Sequence, residues 1–201
     1  MAGHLKLEGK IAVTALKMVE AVCKIFDEQK IMYILEGGTL LGIIRENRLL
    51  PWDNDLDLTT TSPNIPALLK ARFAIWKAGY RTRVRYYKED IGPFKKGEVR
   101  MMKIQTRKYF IFKGVTLLDI FIKREVEGSY FWTVGAKNAV LKSVPVTYYD
   151  NLDRVMFNKY SYSIPQDVHG YLTCRYGDWK TPVKEWDFKK DDKAIVNKEG
   201  K

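Results

Sequence analysis

The segment Val115-Thr116-Leu117-Leu118-Asp119-Ile120-Phe121-Ile122 is the strongest strand in the chain, and Asp119 is its one charge. A carboxylate inside an apolar strand is costly unless a cation or hydrogen-bond donors compensate it. Two arrangements meet that requirement. A buried basic side chain can pair with Asp119, or further carboxylates can share a cation with it.

A second acidic stretch makes the metal arrangement available. Asp53-Asn54-Asp55-Leu56-Asp57-Leu58-Thr59 spaces its carboxylates at a strand's period, so Asp55 and Asp57 leave one face and Asp53 shares their parity as an outer member. Two carboxylates side by side repel unless a cation lies between them, and hard oxygen ligands suit Mg²⁺ or Mn²⁺. If this strand lies beside the Asp119 strand, three carboxylates surround one or two metal ions. The chain has two cysteines, Cys23 and Cys174, and two histidines, His4 and His169. Thiolate zinc sites, His-ligated centres and Ser–His–Asp chemistry therefore lack raw material, and carboxylates must carry any metal. The cysteines read as buried free thiols.

Upstream, Ile31 to Leu35 forms a short apolar run closed by Glu36 and the pair Gly37-Gly38, after which Thr39 to Arg45 has the length of a short helix. A glycine pair lets the backbone approach a phosphate closely, N–H groups at the helix start can donate to it, and Arg45 adds a bidentate donor. Each feature also has an ordinary reading. An Asp-x-Asp is commonly solvated surface, and a Gly-Gly is commonly a turn. Occurring together in this order, they are far more specific than any one alone.

The remaining pattern fits one domain without internal repeats. Apolar residues at helical spacing predict helices over about Ile11–Gln29 and Ile65–Lys77, with Gly79 where a C-terminal cap falls. Arg81 to Phe112 reads as strands joined by a turn at Gly92-Pro93. The C-terminal third reads as aromatic-rich irregular structure with a short helix near Gln166–Tyr176. A domain over 1–188 is expected, followed by a charged, frayed tail over 189–201. No signal-peptide h-region and no apolar run long enough to span a bilayer is visible, which predicts a cytoplasmic protein.

A net charge of +11 implies attraction to phosphates or other polyanions. Between Lys70 and Lys113 the basic residues are opposed by just Glu89, Asp90 and Glu98, and Arg81, Arg83 and Arg85 share a face if that stretch is a strand. Such a face suits an anionic glycan or peripheral contact with an anionic membrane. Nucleic acid is a weaker reading: Tyr86-Tyr87 and Tyr109-Phe110 offer stacking platforms, but no recognised nucleic-acid motif accompanies them. Tyr176 and Trp179, near Lys180 and Lys184, read as packing residues, with a place at a donor pocket as the alternative.

The motifs resemble a known family. Glu36-Gly37-Gly38-Thr39-Leu40-Leu41-Gly42, Arg45 and Pro51-Trp52-Asp53-Asn54-Asp55-Leu56-Asp57-Leu58 resemble the signature of the LicD/fukutin family, with Asn54 where its pattern usually has an acid. Leu118-Asp119-Ile120-Phe121 resembles its Asp-Ile-Phe strand. Tyr171-Leu172 with Tyr176-Gly177-Asp178-Trp179-Lys180-Thr181-Pro182 resembles its C-terminal motif. The resemblance implies an α+β nucleotidyltransferase-like fold, a mixed sheet flanked by helices. It also implies transfer of a phosphorylated small molecule, of the phosphocholine or alditol phosphate type, from a CDP-linked donor to a glycan or glycolipid hydroxyl, releasing CMP. On that reading Asp55 and Asp57 hold Mg²⁺ or Mn²⁺, with Asp53 as an outer ligand. Asp119 holds the acceptor hydroxyl or a second metal and takes the proton, while Gly37, Gly38, Thr39 and Arg45 hold the phosphates. The alternatives are a nucleotidyltransferase that adds a nucleoside monophosphate, or a non-catalytic polyanion- or RNA-binding protein on the same fold.

Overall fold

A computed structural model of the protein describes residues 6–109, 112–135, 138–183 and 185–196. The chain opens with α1 (Gly9–Glu28), whose apolar stripe buries Met18, Val22, Cys23 and Phe26. Then come β1 (Ile34–Glu36), α2 (Gly37–Glu46), β2 (Leu56–Thr61), α3 (Ile65–Lys77), β3 (Tyr80–Tyr86), β4 (Val99–Lys108) and β5 (Phe112–Val126). The C-terminal third holds β6 (Ser129–Val134), β7 (Val140–Pro145), the short α4 (Thr147–Asp150), β8 (Leu152–Phe157), β9 (Tyr160–Pro165) and α5 (Val168–Tyr176).

Five strands lie in the order β1-β2-β5-β4-β3, and the long β5 continues past them to pair with β6, which pairs with β7. The β2–β5 pair is parallel, and the other pairs in this sheet are antiparallel. The architecture is α+β, a mixed sheet flanked by helices, as the resemblance implies. Alternation divides the sheet's two faces. Leu118, Ile120 and Ile122 of β5, with Met102 and Ile104 of β4, are buried on the face that carries α1 and α3. Full burial of each such side chain contributes roughly 1.5–3 kcal/mol. The Arg72 side chain of α3 donates to Thr82 Oγ1 (3.0 Å), which places α3 on that apolar face, away from Arg81, Arg83 and Arg85. Asp119, Phe121 and Lys123 point to the opposite face. A second hairpin, β8–β9, is fastened to α1 where Arg154 and Tyr160 donate to the Asp27 carboxylate.

Several expectations need correction. Gly37 and Gly38 are the first residues of α2 rather than a separate turn, because the Glu36 side chain accepts from Gly37 N–H and starts the helix there. Strand β2 begins at Leu56, so Asp53 and Asp55 lie in the bend before it and only Asp57 is a strand residue. The C-terminal third is not irregular. Its aromatics sit largely on β6, α4, β8, β9 and α5, where periodicity is masked because Tyr and Trp are apolar on one face and hydrogen-bonding at the tip. The stretch expected to fray is bound into the fold as far as it is described: Asp192 and Ala194 are buried, and Val196 N–H donates to Leu141 O (3.0 Å). Residues 197–201, Phe110 and Lys184 lie outside the described residues. Cys23 is buried and Cys174 half-buried, both as free thiols. No described helix is long and apolar enough to cross a membrane.

Candidate active site

One register line crosses the sheet through five charged residues. Glu36 of β1 stands opposite Asp57 of β2, Asp57 opposite Asp119 of β5, Asp119 opposite Lys103 of β4, and Lys103 opposite Arg83 of β3. Residues opposite one another share a face, so three acids and then two bases form a row on the face away from α1 and α3. Of the two arrangements read from the lone Asp119, the basic partner is present, and the acids of the other are brought to neighbouring strands. The Asp119 strand does lie beside the Asp57 strand, and Asp119 also has a basic partner, because Lys103 Nζ donates to its Oδ2. The other oxygen, Oδ1, is buried without a hydrogen-bond partner.

The glycines are explained by the acids. A Cβ on Gly37, which has φ +58°, would collide with Asp57 Oδ2, and a Cβ on Gly38 would collide with Asp53 Oδ2. The start of α2 is thus opened so that two carboxylates can lie against its backbone. Thr39 completes the junction: its Oγ1 accepts the Asp57 N–H (2.8 Å), which locks α2 to β2 at the residue that matters. Thr39, expected to hold phosphate, therefore positions Asp57 in this structure. Arg45 likewise has partners of its own. It donates to Glu46 and to Trp179 O (3.3 Å), joining α2 to the C-terminal segment. Trp179 is buried and stacks on His169, as its reading as a packing residue predicts.

The electrostatics of the acid group call for positive charge. Burial, then the charges of Asp119 and Asp53, push the Asp55 carboxyl up to about 7 against a weaker opposing pull from Lys103. Burial, then repulsion from Asp55, Asp53, Asp119 and Glu36, pushes Asp57 well above the carboxylate range. Burial also raises Asp119, although Lys103 works against it, and raises Asp53. Among the described residues no three ligand-type side chains converge into a finished metal cage. Mg²⁺ does not require one, since it is commonly held by one or two carboxylates and completed by substrate phosphates and water. The repelling acids and the unpartnered Asp119 Oδ1 fit that kind of divalent site.

Glu36 was legible as the residue closing a strand and opening the family signature, with no role assigned to it, yet it anchors a buried charge network. Lys123 Nζ donates to its Oε2 (2.6 Å), to Tyr149 Oη (2.5 Å) and to Tyr171 Oη (2.9 Å). Tyr171 donates back to Glu36 Oε2 (2.8 Å), and Arg175 bonds Oε1. Arg175 also bonds Asp192 Oδ2 (2.8 Å), which in turn accepts from Lys142 (2.6 Å). Trp132 lies 3.8 Å beneath the Lys123 ammonium. Burial alone would raise the Glu36 pKa; the Lys123 and Arg175 charges override it and hold the carboxyl down at about 2. One signal of the same kind as Asp119 could have exposed this network, Lys142 among Val140, Leu141 and Val144, whereas Lys123 opens the charged run Lys123-Arg124-Glu125 and does not stand out.

A mixed sheet carrying carboxylates on adjacent parallel strands, with a glycine-opened helix against them, is an α+β fold of the nucleotidyltransferase type. The profile of the LicD/FKTN/FKRP nucleotidyltransferase domain matches residues 30–167, and the chain belongs to that family. Its relatives include an uncharacterized protein of Rickettsia prowazekii (strain Madrid E), 23% identical over 180 residues that make up 87% of this chain and 58% of that protein. The human ribitol-5-phosphate transferase FKTN is 23% identical over 179 residues, 88% of this chain and 35% of that protein. The lipopolysaccharide cholinephosphotransferase LicD of Haemophilus influenzae is 37% identical over 54 residues, 27% of this chain and 19% of that protein. The chain thus spans about a third to somewhat over half of its longer-matched relatives.

Proposed function

We propose that this domain transfers a phosphorylated small molecule, an alditol phosphate or phosphocholine, from a CDP-linked donor to a glycan hydroxyl. The observation that carries this reading is the Asp57–Asp119 pair on adjacent parallel strands, with Asp119 Oδ1 left unpartnered. The names of two relatives, a ribitol-5-phosphate transferase and a cholinephosphotransferase, support the class of chemistry.

In this reaction the acceptor oxygen bonds to the donor phosphorus that bears the transferred group. The bond from that phosphorus to the CMP oxygen breaks, and CMP leaves with the electron pair. The acceptor proton passes to Asp119 Oδ1, the buried oxygen with no other bond to make. Lys103, on Oδ2, fixes the carboxylate's orientation and favours its ionised form against burial. Asp55 and Asp57, with Asp53 outside them, are the residues to hold Mg²⁺ or Mn²⁺, which when bound neutralises the donor diphosphate and the departing CMP. The first-turn N–H groups of α2 at Gly38 and Thr39 lie beside those carboxylates and are donors for the same phosphates. Gly37 keeps Asp57 in place, and Arg45 holds α2 against Trp179, so both act on phosphate geometry through the helix.

Calorimetric titration of CDP, CDP-choline and CDP-ribitol, with Mn²⁺ or Mg²⁺ and then with EDTA, tests the proposal. Metal-dependent binding that disappears in Asp55→Asn/Asp57→Asn is the expected result. Absence of binding with metal present, or binding unchanged in the variant, overturns it.

A further inference from the structure

Away from the carboxylates, the end of the molecule formed by the C-terminus of α3 and the β4–β5 hairpin exposes four large aromatic side chains. Phe73 is 62% exposed, Trp76 52%, Tyr109 85% and Phe112 61%. They belong to one surface. Trp76 and Phe73 lie nearly parallel (ring centroids 6.3 Å apart, 9°), and the Arg107 guanidinium sits 5.1 Å over Trp76 while its Nε donates to Gly79 O (3.0 Å). Arg107 and Lys108 of β4 stand opposite Lys113 and Phe112 of β5. Exposed aromatics on this scale are unusual for a solvated surface and mark a place of contact.

The segments that carry them bear charges of one sign, with Glu20 of α1 as an acid near their border at Tyr80. Residues 65–88 and 99–118, which supply α3, β3, β4 and the start of β5, contain no Asp or Glu before Asp119. Lys77 lies 4.6 Å over the Phe73 ring, and Lys108 and Lys113 flank Tyr109 and Phe112. We infer that this end docks onto an anionic lipid surface, its aromatic side chains seated at headgroup depth and its lysines and Arg107 against the lipid phosphates. The ring geometry favours lipid over single-stranded nucleic acid. Bases stack on open ring faces, whereas here Lys77 covers a face of Phe73 and Arg107 a face of Trp76. Exposed aromatic side chains set beside cations are the combination that suits a membrane–water boundary. Asp119 is seven residues along β5 from Phe112, roughly 20 Å at a strand's rise, so docking at this end leaves the acid row clear of the headgroups. The inference stands on this surface alone and holds whatever reaction the carboxylates perform.

Sedimentation with vesicles of phosphatidylcholine, alone or mixed with phosphatidylglycerol, reads it directly. The expected result is retention on the mixed vesicles, none on phosphatidylcholine alone, and release by added salt. Two variants separate the parts: Phe73→Ser/Trp76→Ser and Lys108→Glu/Lys113→Glu should each weaken retention roughly tenfold or more. All four side chains are at the surface, and unchanged circular dichroism and Tm establish that the variants are folded. A blue shift of tryptophan emission on mixed vesicles, lost in Trp76→Phe, places the indole in the lipid interface. No retention at low salt overturns the inference, and so does equal retention of the Phe73→Ser/Trp76→Ser variant. Single-stranded RNA that binds more tightly than the vesicles, through the same aromatic pair, would reassign the surface to nucleic acid.

Discussion

The Cα of Gly37 faces the Asp57 carboxylate so closely that not even a methyl group fits between them. The conformation at Gly37, with φ +58°, is also one that other residues adopt only with strain. Gly37→Ala is therefore expected to cost about 1–3 kcal/mol of stability in urea denaturation. It should also displace Asp57, so that the metal dependence of CDP binding is lost along with the stability. Gly97→Ala, where a Cβ meets nothing within 4 Å although φ is also positive, separates backbone strain from the loss of carboxylate space.

Lys103 and Asp119 make the second testable pair. Removing the ammonium in Lys103→Met removes the main influence that opposes burial at Asp119, so the Asp119 carboxyl titrates higher. The acid limb of a pH–rate profile for transfer should move upward in pH, and Lys103→Arg should restore part of it. A limb that stays where it is in Lys103→Met removes Asp119 from the role of base.

Stability against pH has a sign that the acid group dictates. Asp55 titrates at about 7 in the folded, metal-free protein and near 3.9 when unfolded. Between those values the folded state binds more protons, so this contribution to stability rises as pH falls from about 7 toward about 4. Asp55→Asn/Asp57→Asn should flatten that rise and stabilise the metal-free protein at pH 7 by on the order of 1 kcal/mol or more. Thermal melts with EDTA across this pH range measure it, and saturating Mn²⁺ should reverse the order of the two proteins.

The opposite slope belongs to Glu36. Its folded pKa of about 2 lies below the unfolded value near 4.3, so its contribution is complete above about pH 4 and is lost as pH falls toward 2. Arg175→Met strips a cation from both Glu36 and Asp192 while leaving those acids buried, and it is expected to cost about 3–5 kcal/mol. Denaturant titration at pH 7 checks the magnitude. A loss under 1 kcal/mol would mean that Lys123 and Lys142 suffice to hold the network.

Much of this was legible before the fold was known, because the acids that make the site violate local patterning. Asp119 in its apolar strand and Asp57 two residues beyond Asp55 demanded a shared environment, and the parallel β2–β5 pair supplies it. The glycine pair was legible as a close approach, but its occupant was not. Nothing local says whether a phosphate or a carboxylate fills the space, and Asp53 and Asp57 do. Thr39 and Arg45 were assigned to phosphate because their chemistry permits it, whereas tertiary contacts with Asp57 N–H and Trp179 O engage them. Asp192 was hidden for the opposite reason. A charged, polar tail has no periodic signal, and its order comes from two distant cations, Lys142 and Arg175.

The family match ends at residue 167, but the charges that settle Glu36 continue through Tyr171 and Arg175 to Asp192. A fragment cut where the similarity stops would keep every acid of the row and the Lys123 partner of Glu36, but lose Tyr171, Arg175 and Asp192 from the network at the start of α2. The same holds in time during synthesis. Glu36 and its glycines leave the ribosome before the segment around Asp192, and the charge network around them closes only when that segment has emerged. The motif thus reaches its full set of charge partners only after residues made well behind it have joined the fold.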